Sequence, residues 1–152
     1  MARKHIVCRG IMAGIVALLT ACSSPTEELE SEISSLSMMT PMELEDNSNV
    51  ELTEASYSNG LAEFTFRVTS EDELSNYIDA GGYESRRDIV LESVQLKQLS
   101  PILMSRIEAA EAAIKIKVTY NDDFDIAVAT FPNASTYEKA VRGRAKDIKD
   151  YQ

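Results

Sequence analysis

Two stretches of strict alternation constrain this chain more than anything else in it. In the first, Phe64, Phe66 and Val68 are interleaved with Glu63, Thr65 and Arg67. In the second, Ile114, Ile116, Val118 and Tyr120 are interleaved with Lys115, Lys117 and Thr119. Successive strand side chains point to opposite faces, so a period of two marks a half-buried strand. Each stretch has a neighbour across a turn. Leu52, Ala55 and Tyr57 precede Ser58-Asn59-Gly60, and Asn-Gly supplies the positive φ of a tight hairpin. Asn121-Asp122-Asp123 leads into Ile126, Val128 and Thr130, which alternate with Ala127, Ala129 and Phe131 until Pro132. Two β-hairpins are predicted, together forming an antiparallel sheet of about four strands.

The segment between the hairpins reads as helical with two breaks. Ser70 caps a short helix holding Leu74, Tyr77 and Ile78, and Asp79-Ala80-Gly81-Gly82 interrupts it. Residues 85–99 carry Ile89, Val90, Val94, Leu96 and Leu99. Ser100-Pro101 has the form of a restart, with serine as N-cap and proline at the first position. Ile102, Leu103, Ile107 and Ala110 then face the core. Residues 85–113 would cover one face of the sheet, giving an α+β domain.

The N-terminus has a different character. Arg3, Lys4 and Arg9 precede an apolar run from Ile11 to Leu19, followed by Thr20-Ala21-Cys22. A basic start, a short apolar run and small residues form a secretory signal, and a bilayer span needs ~20 apolar residues. Leu19-Thr20-Ala21-Cys22 resembles the lipobox of bacterial lipoproteins. The resemblance implies cleavage between Ala21 and Cys22, with lipid on the sulfur and new amino terminus of Cys22. The membrane is then a partner through that lipid, and the protein resides in a bacterial cell envelope. Ser23 and Ser24 lack the aspartate that retains lipoproteins in the inner membrane of enteric bacteria, so the outer membrane is favoured where the host has one.

Four regions are expected: a signal peptide over 1–21, an acidic flexible tether over 22–49, an α+β domain over 50–134 and a basic C-terminal helix over 135–152. Between Cys22 and Glu54 lie nine acidic residues and no basic one. Low hydrophobicity with one-sided charge does not offset chain entropy, which favours disorder. Leu29, Ile33 and Leu36 nevertheless have helical spacing, so one weak helix can form within the tether. Ser135 and Glu138 have the spacing of a capping box that opens the last helix. That helix carries Lys139, Arg142, Arg144, Lys146 and Lys149, with a thin stripe of Val141, Ala145 and Ile148.

Composition removes several chemistries. The chain has two cysteines and one histidine. Cys8 and His5 leave with the signal, and Cys22 takes the lipid. No imidazole or free thiol remains for a Ser-His-Asp triad, a Cys-His nucleophile, a zinc site or a haem. No cofactor and no catalytic residue is assigned. Asn121, Asp122, Asp123 and Asp125 lack the glycine and distant glutamate of an EF-hand, and an ordinary polar turn explains them. The net charge of −10 falls to about −13 once the three basic residues of the signal are removed. Such a chain has no electrostatic affinity for nucleic acid. Asn133-Ala134-Ser135 matches a glycosylation sequon, which the bacterial context makes uninformative.

The order of elements is similar to that of small bacterial envelope lipoproteins and of type II secretion pilotins. The residues that carry the likeness are 42–68, then Leu96-Lys97-Gln98-Leu99-Ser100-Pro101 to Ile107, then 114–131. Those pilotins join two cysteines in a disulfide. This chain has Leu99 and Ser100 near the first position and no cysteine near the second. The resemblance implies a non-catalytic binding or assembly factor that engages an envelope protein. An inhibitor or immunity lipoprotein, docking its acidic surface on a basic toxin or hydrolase, is the alternative.

Overall fold

The computed structural model describes residues 23–79, 94–121 and 124–147. The signal peptide, Ala21, Cys22, Ile89, Val90, Asp122 and Asp123 lie outside the described residues.

The described residues open with helix α1 (Pro25–Met38). Ser24 is its N-cap. The serine hydroxyl accepts from Glu27 N–H at 3.2 Å, and the Glu27 carboxylate accepts from Ser24 N–H at 2.8 Å. This reciprocal pair is a capping box, with Pro25 pre-set in the first turn. Glu27 and Glu28 complement the positive end of the helix dipole. Leu29, Ile33 and Leu36 are at most 2% exposed. The flexible tether expected over 22–49 is therefore corrected for most of its length. One apolar stripe suffices to dock a helix, and the exposed acids Glu27 and Glu30 stand off it.

Among the described residues five strands follow: β1 (Met42–Leu44), β2 (Asn47–Ser58), β3 (Leu61–Val68), β4 (Ala113–Tyr120) and β5 (Phe124–Phe131). They form one sheet in the order β1-β2-β3-β4-β5. Both expected hairpins are present, β2–β3 and β4–β5, each antiparallel. The expected α+β sheet built from two hairpins is present, with five strands instead of about four and a mixed instead of an antiparallel pairing. The former tether adds β1, antiparallel to β2. And β3 pairs with β4 in parallel, from Leu61↔Ala113 to Val68↔Tyr120. A parallel pair needs a crossover. Here residues 69–112 carry the chain from the end of β3 back to the level of its start. Ala113 N–H then donates to the Gly60 carbonyl at 2.8 Å.

Two bulges set which side chains face inward. In β2 the pairing steps from Leu52↔Phe66 to Glu54↔Thr65, leaving Thr53 as the extra residue. Leu52 and Ala55, an odd number of positions apart, are consequently both buried. In β5 the step from Val118↔Ala127 to Thr119↔Asp125 leaves Ile126 extra. Ile126 and Ala127 are both buried, and Ala129 and Phe131 continue that face.

Helix α2 (Glu71–Asp79) and a 3-10 turn (Leu96–Gln98) precede α3 (Leu103–Ala109), and α4 (Ala134–Asp147) is the last described element. The Ser100-Pro101 restart begins later than its sequence suggests. Ile102 is the N-cap of α3, without a side-chain cap. Ser100 instead shapes the preceding turn, its hydroxyl accepting from Ile102 N–H at 3.4 Å. Ile102 is thus 44% exposed, while Leu103 and Ile107 are fully buried. The capping box expected at Ser135 and Glu138 is also displaced. Asn133 Oδ1 accepts from Thr136 N–H at 2.9 Å, and Glu138 pairs with Arg142.

The core lies between one face of the sheet and the helices. α1 packs on β2 and α3, and α4 packs on β4, β5 and α3. Phe64, Phe66, Ile114, Ile116 and Val118 meet Leu29, Ile33, Leu36, Leu103 and Ile107 in one cluster. The Arg106–Glu28 ion pair joins α3 to α1. On the opposite face, Glu51 pairs with Arg67, Glu63 with Lys115, and Lys117 with Asp125. Cross-strand pairs of opposite charge support the register seen here.

Candidate binding groove

Tyr137 organises one concave surface of the domain. It lies one turn into α4 and is 4% exposed. A buried tyrosine hydroxyl needs a partner, and Leu96 N–H donates to it at 3.0 Å. The ring packs edge-on against Phe131 at a centroid distance of 5.4 Å. Burial pushes the Tyr137 hydroxyl above its ordinary pKa of 10.0; the Leu96 hydrogen bond opposes this and Glu138 adds to it. The hydroxyl is accordingly neutral at physiological pH and ties α4 to the 3-10 turn.

Between these elements lies a groove of about 250 Å³, lined by Gln95, Lys97, Met104, Tyr137, Glu138, Val141 and Arg142. Met104 comes from the first turn of α3, and Val141 follows Tyr137 on α4 at helical spacing. Both are partly buried and pack on the core. They give the groove an apolar floor. Lys97 is exposed at its rim, and Glu138 pairs with Arg142 at 3.0 Å. Exposed pairs of this kind contribute little to stability, so these charges are available to a ligand at small cost. An apolar floor with a charged rim suits a segment with one apolar edge.

The remaining predicted residues fall elsewhere. Cys22 and Ala21 lie just beyond the first described residue, Ser23. Asn121 has a positive φ of 49°, as a tight turn requires, and Asp125 is bound to Lys117 at 2.9 Å. Among the described residues no group of three His, Cys, Asp or Glu side chains is placed to hold a metal ion. No described helix is long and apolar enough to cross a membrane. The groove itself was not assigned from sequence. Its signal was present at one point only: Tyr137 extends the Val141, Ala145, Ile148 stripe by one turn toward the N-terminus. Met104 and the 3-10 turn join it through tertiary packing.

No protein-family model matches the chain, and comparison with curated proteins found no match in sequence. Among solved structures the chain is similar to a candidate secreted protein of Pseudomonas aeruginosa. The identity is 16% and the TM-score 0.48, over 74% of this chain and 92% of that one. It is similar to EpsS, the pilotin of the Vibrio vulnificus type 2 secretion system, at 14% identity and TM-score 0.49, over 74% of this chain and 91% of that one. It is also similar to AspS, the type II secretion pilotin of Vibrio cholerae, at 13% identity and TM-score 0.48, over 74% of this chain and 94% of that one.

Proposed function

We propose that this chain is a lipid-anchored, non-catalytic envelope protein that binds a segment of another envelope protein, in the manner of a pilotin. The groove between the 3-10 turn, α3 and α4 is the observation that carries this reading. Its floor of Met104, Tyr137 and Val141 accepts the apolar edge of a peptide, and Lys97, Glu138 and Arg142 fix its register. Leu19-Thr20-Ala21-Cys22 supplies the anchor, with outer-membrane residence where the host has one.

The test is a crosslinked pull-down from native membranes, comparing wild type with Val141→Glu. Wild type should enrich one envelope protein. The variant places a charge on the groove floor. Anchor residues of interfaces are typically worth more than ~1.4 kcal/mol, so capture should fall at least about tenfold. Equal melting temperatures would establish that the variant is folded. Undiminished capture by a folded Val141→Glu protein would remove the groove from the reading.

A further inference from the structure

The distance between the lipid and the folded domain follows from where α1 begins. Ser24 is already the N-cap of α1, fixed by two hydrogen bonds to Glu27. One residue, Ser23, separates that cap from Cys22. At most about 3.6 Å of chain is available per residue, so the Cα atoms of Cys22 and Ser24 are at most ~7 Å apart. Lengthening this link means unwinding α1, and that would expose Leu29, Ile33 and Leu36, which are almost wholly buried. The acidic composition of 22–49 suggests reach, yet the fold removes it.

The same geometry selects which end of the domain meets the bilayer. Glu28, in the first turn of α1, pairs with Arg106 in the last turn of α3. Just beyond α3, Ala113 N–H bonds to the Gly60 carbonyl. The start of α1, the end of α3 and the β2–β3 turn thus share one end of the sheet. Ser48, at the start of β2, lies at the other end, ten positions from Ser58. At ~3.3 Å per residue the two serines are about 30 Å apart. Lying flat on α1 would bring the exposed carboxylates of Glu27 and Glu30 onto the headgroup phosphates. End-on placement leaves Glu27 near the headgroups and lifts Glu30, almost one turn further along α1, away from them.

We propose that the domain is held end-on against the lipid surface by a two-residue link, with the β2–β3 turn at the headgroups and the groove turned away from the bilayer. The inference rests on the lipid-anchor reading above. The groove's position follows from its elements. α4 starts beside the membrane-proximal end of β5, because Phe131 pairs with Ile114 near the start of β4. Tyr137, Glu138, Val141 and Arg142 lie one to two turns beyond that start. Met104 is in the turn of α3 away from its membrane-proximal end. A partner segment can therefore enter the groove without displacing lipid.

The test uses the full lipidated protein in phosphatidylcholine vesicles containing a lipid with a spin-labelled headgroup. A fluorophore is attached through Ser58→Cys in one protein and Ser48→Cys in another; both positions are exposed. The lipid blocks Cys22, so the introduced thiol alone reacts. The label at 58 should lose most of its emission and the label at 48 almost none. A Gly/Ser spacer of about 12 residues after Ser23 has a root-mean-square span near 19 Å and should restore emission at 58. Vesicle-bound protein quenched equally at both positions, or at neither, overturns the inference and leaves the anchor standing. Wild-type protein that fails to enter vesicles overturns the anchor and the inference together.

Discussion

Tyr137 shows how one buried polar atom joins two elements that sequence treats as separate. Its hydroxyl is the acceptor for Leu96 N–H, and Leu96 is fully buried. Tyr137→Phe keeps the ring on Phe131 and leaves that N–H without a partner. A buried unsatisfied donor costs about 1–3 kcal/mol, so urea unfolding should show a loss of that size. The pH dependence follows from the same burial. The folded hydroxyl ionises above the unfolded value of 10.0, so the folded state retains a proton that the unfolded state releases. The neutral hydroxyl's contribution is complete below pH 10 and declines as pH rises toward the folded value. Unfolding free energies measured from pH 8 upward should fall above pH 10 in wild type and fall less steeply in Tyr137→Phe. A slope that is the same in both proteins would assign the alkaline loss to other groups. The stripe of α4 was read from Val141 onward, and Tyr137, one turn before it, was not assigned to it. Its hydrogen bond was not legible either, since Leu96 lies 41 residues earlier in the chain.

At the scale of elements, α1 separates two readings of the same residues. A tether would tolerate substitution within about 0.5 kcal/mol. The docked helix would not. Ile33→Ala empties a site that is 2% exposed and should cost about 2–5 kcal/mol. Ser24→Ala removes the capping box and should cost about 1 kcal/mol. Denaturant midpoints of the two variants check both, and wild-type values would return 22–49 to a tether. The spacing of Leu29, Ile33 and Leu36 was visible in sequence, but the run of acids outweighed it. Charge density measures what a face offers to solvent, whereas docking depends on the other face. The strands were more legible, because alternation reports burial directly. The two bulges were not. Thr53 and Ile126 each shift the phase of a strand by one residue, and only pairing with a neighbour shows that a residue is extra. Three-residue β1 is too short to carry a period and forms because α1 delivers it to the edge of β2.

For the whole molecule, alternation fixed the faces of the strands without fixing their neighbours, so the parallel β3–β4 pair had to come from the crossover. The surface charge has a clearer consequence. Cleavage before Cys22 would leave the chain at about −13, and its described acids at the α1 end stand beside the proposed anchor. An acidic protein gains nothing from an anionic bilayer, since electrostatic recruitment there depends on clustered Lys and Arg. No described helix provides a span either. The attachment proposed here is the lipid on Cys22. A single acyl chain holds a protein only marginally, and stable anchoring takes two signals. The resemblance to lipoproteins implies lipid on both the sulfur and the amino terminus of that one residue. Cys22→Ser removes both attachments at once. It leaves the capping box untouched, because Ser24 and Glu27 form it without help from Cys22. The variant should move from the membrane pellet to the soluble fraction, and its melting temperature should match that of the delipidated wild type. Retention of Cys22→Ser in the pellet after an alkaline carbonate wash, in its processed form, would show that the attachment lies elsewhere in the chain.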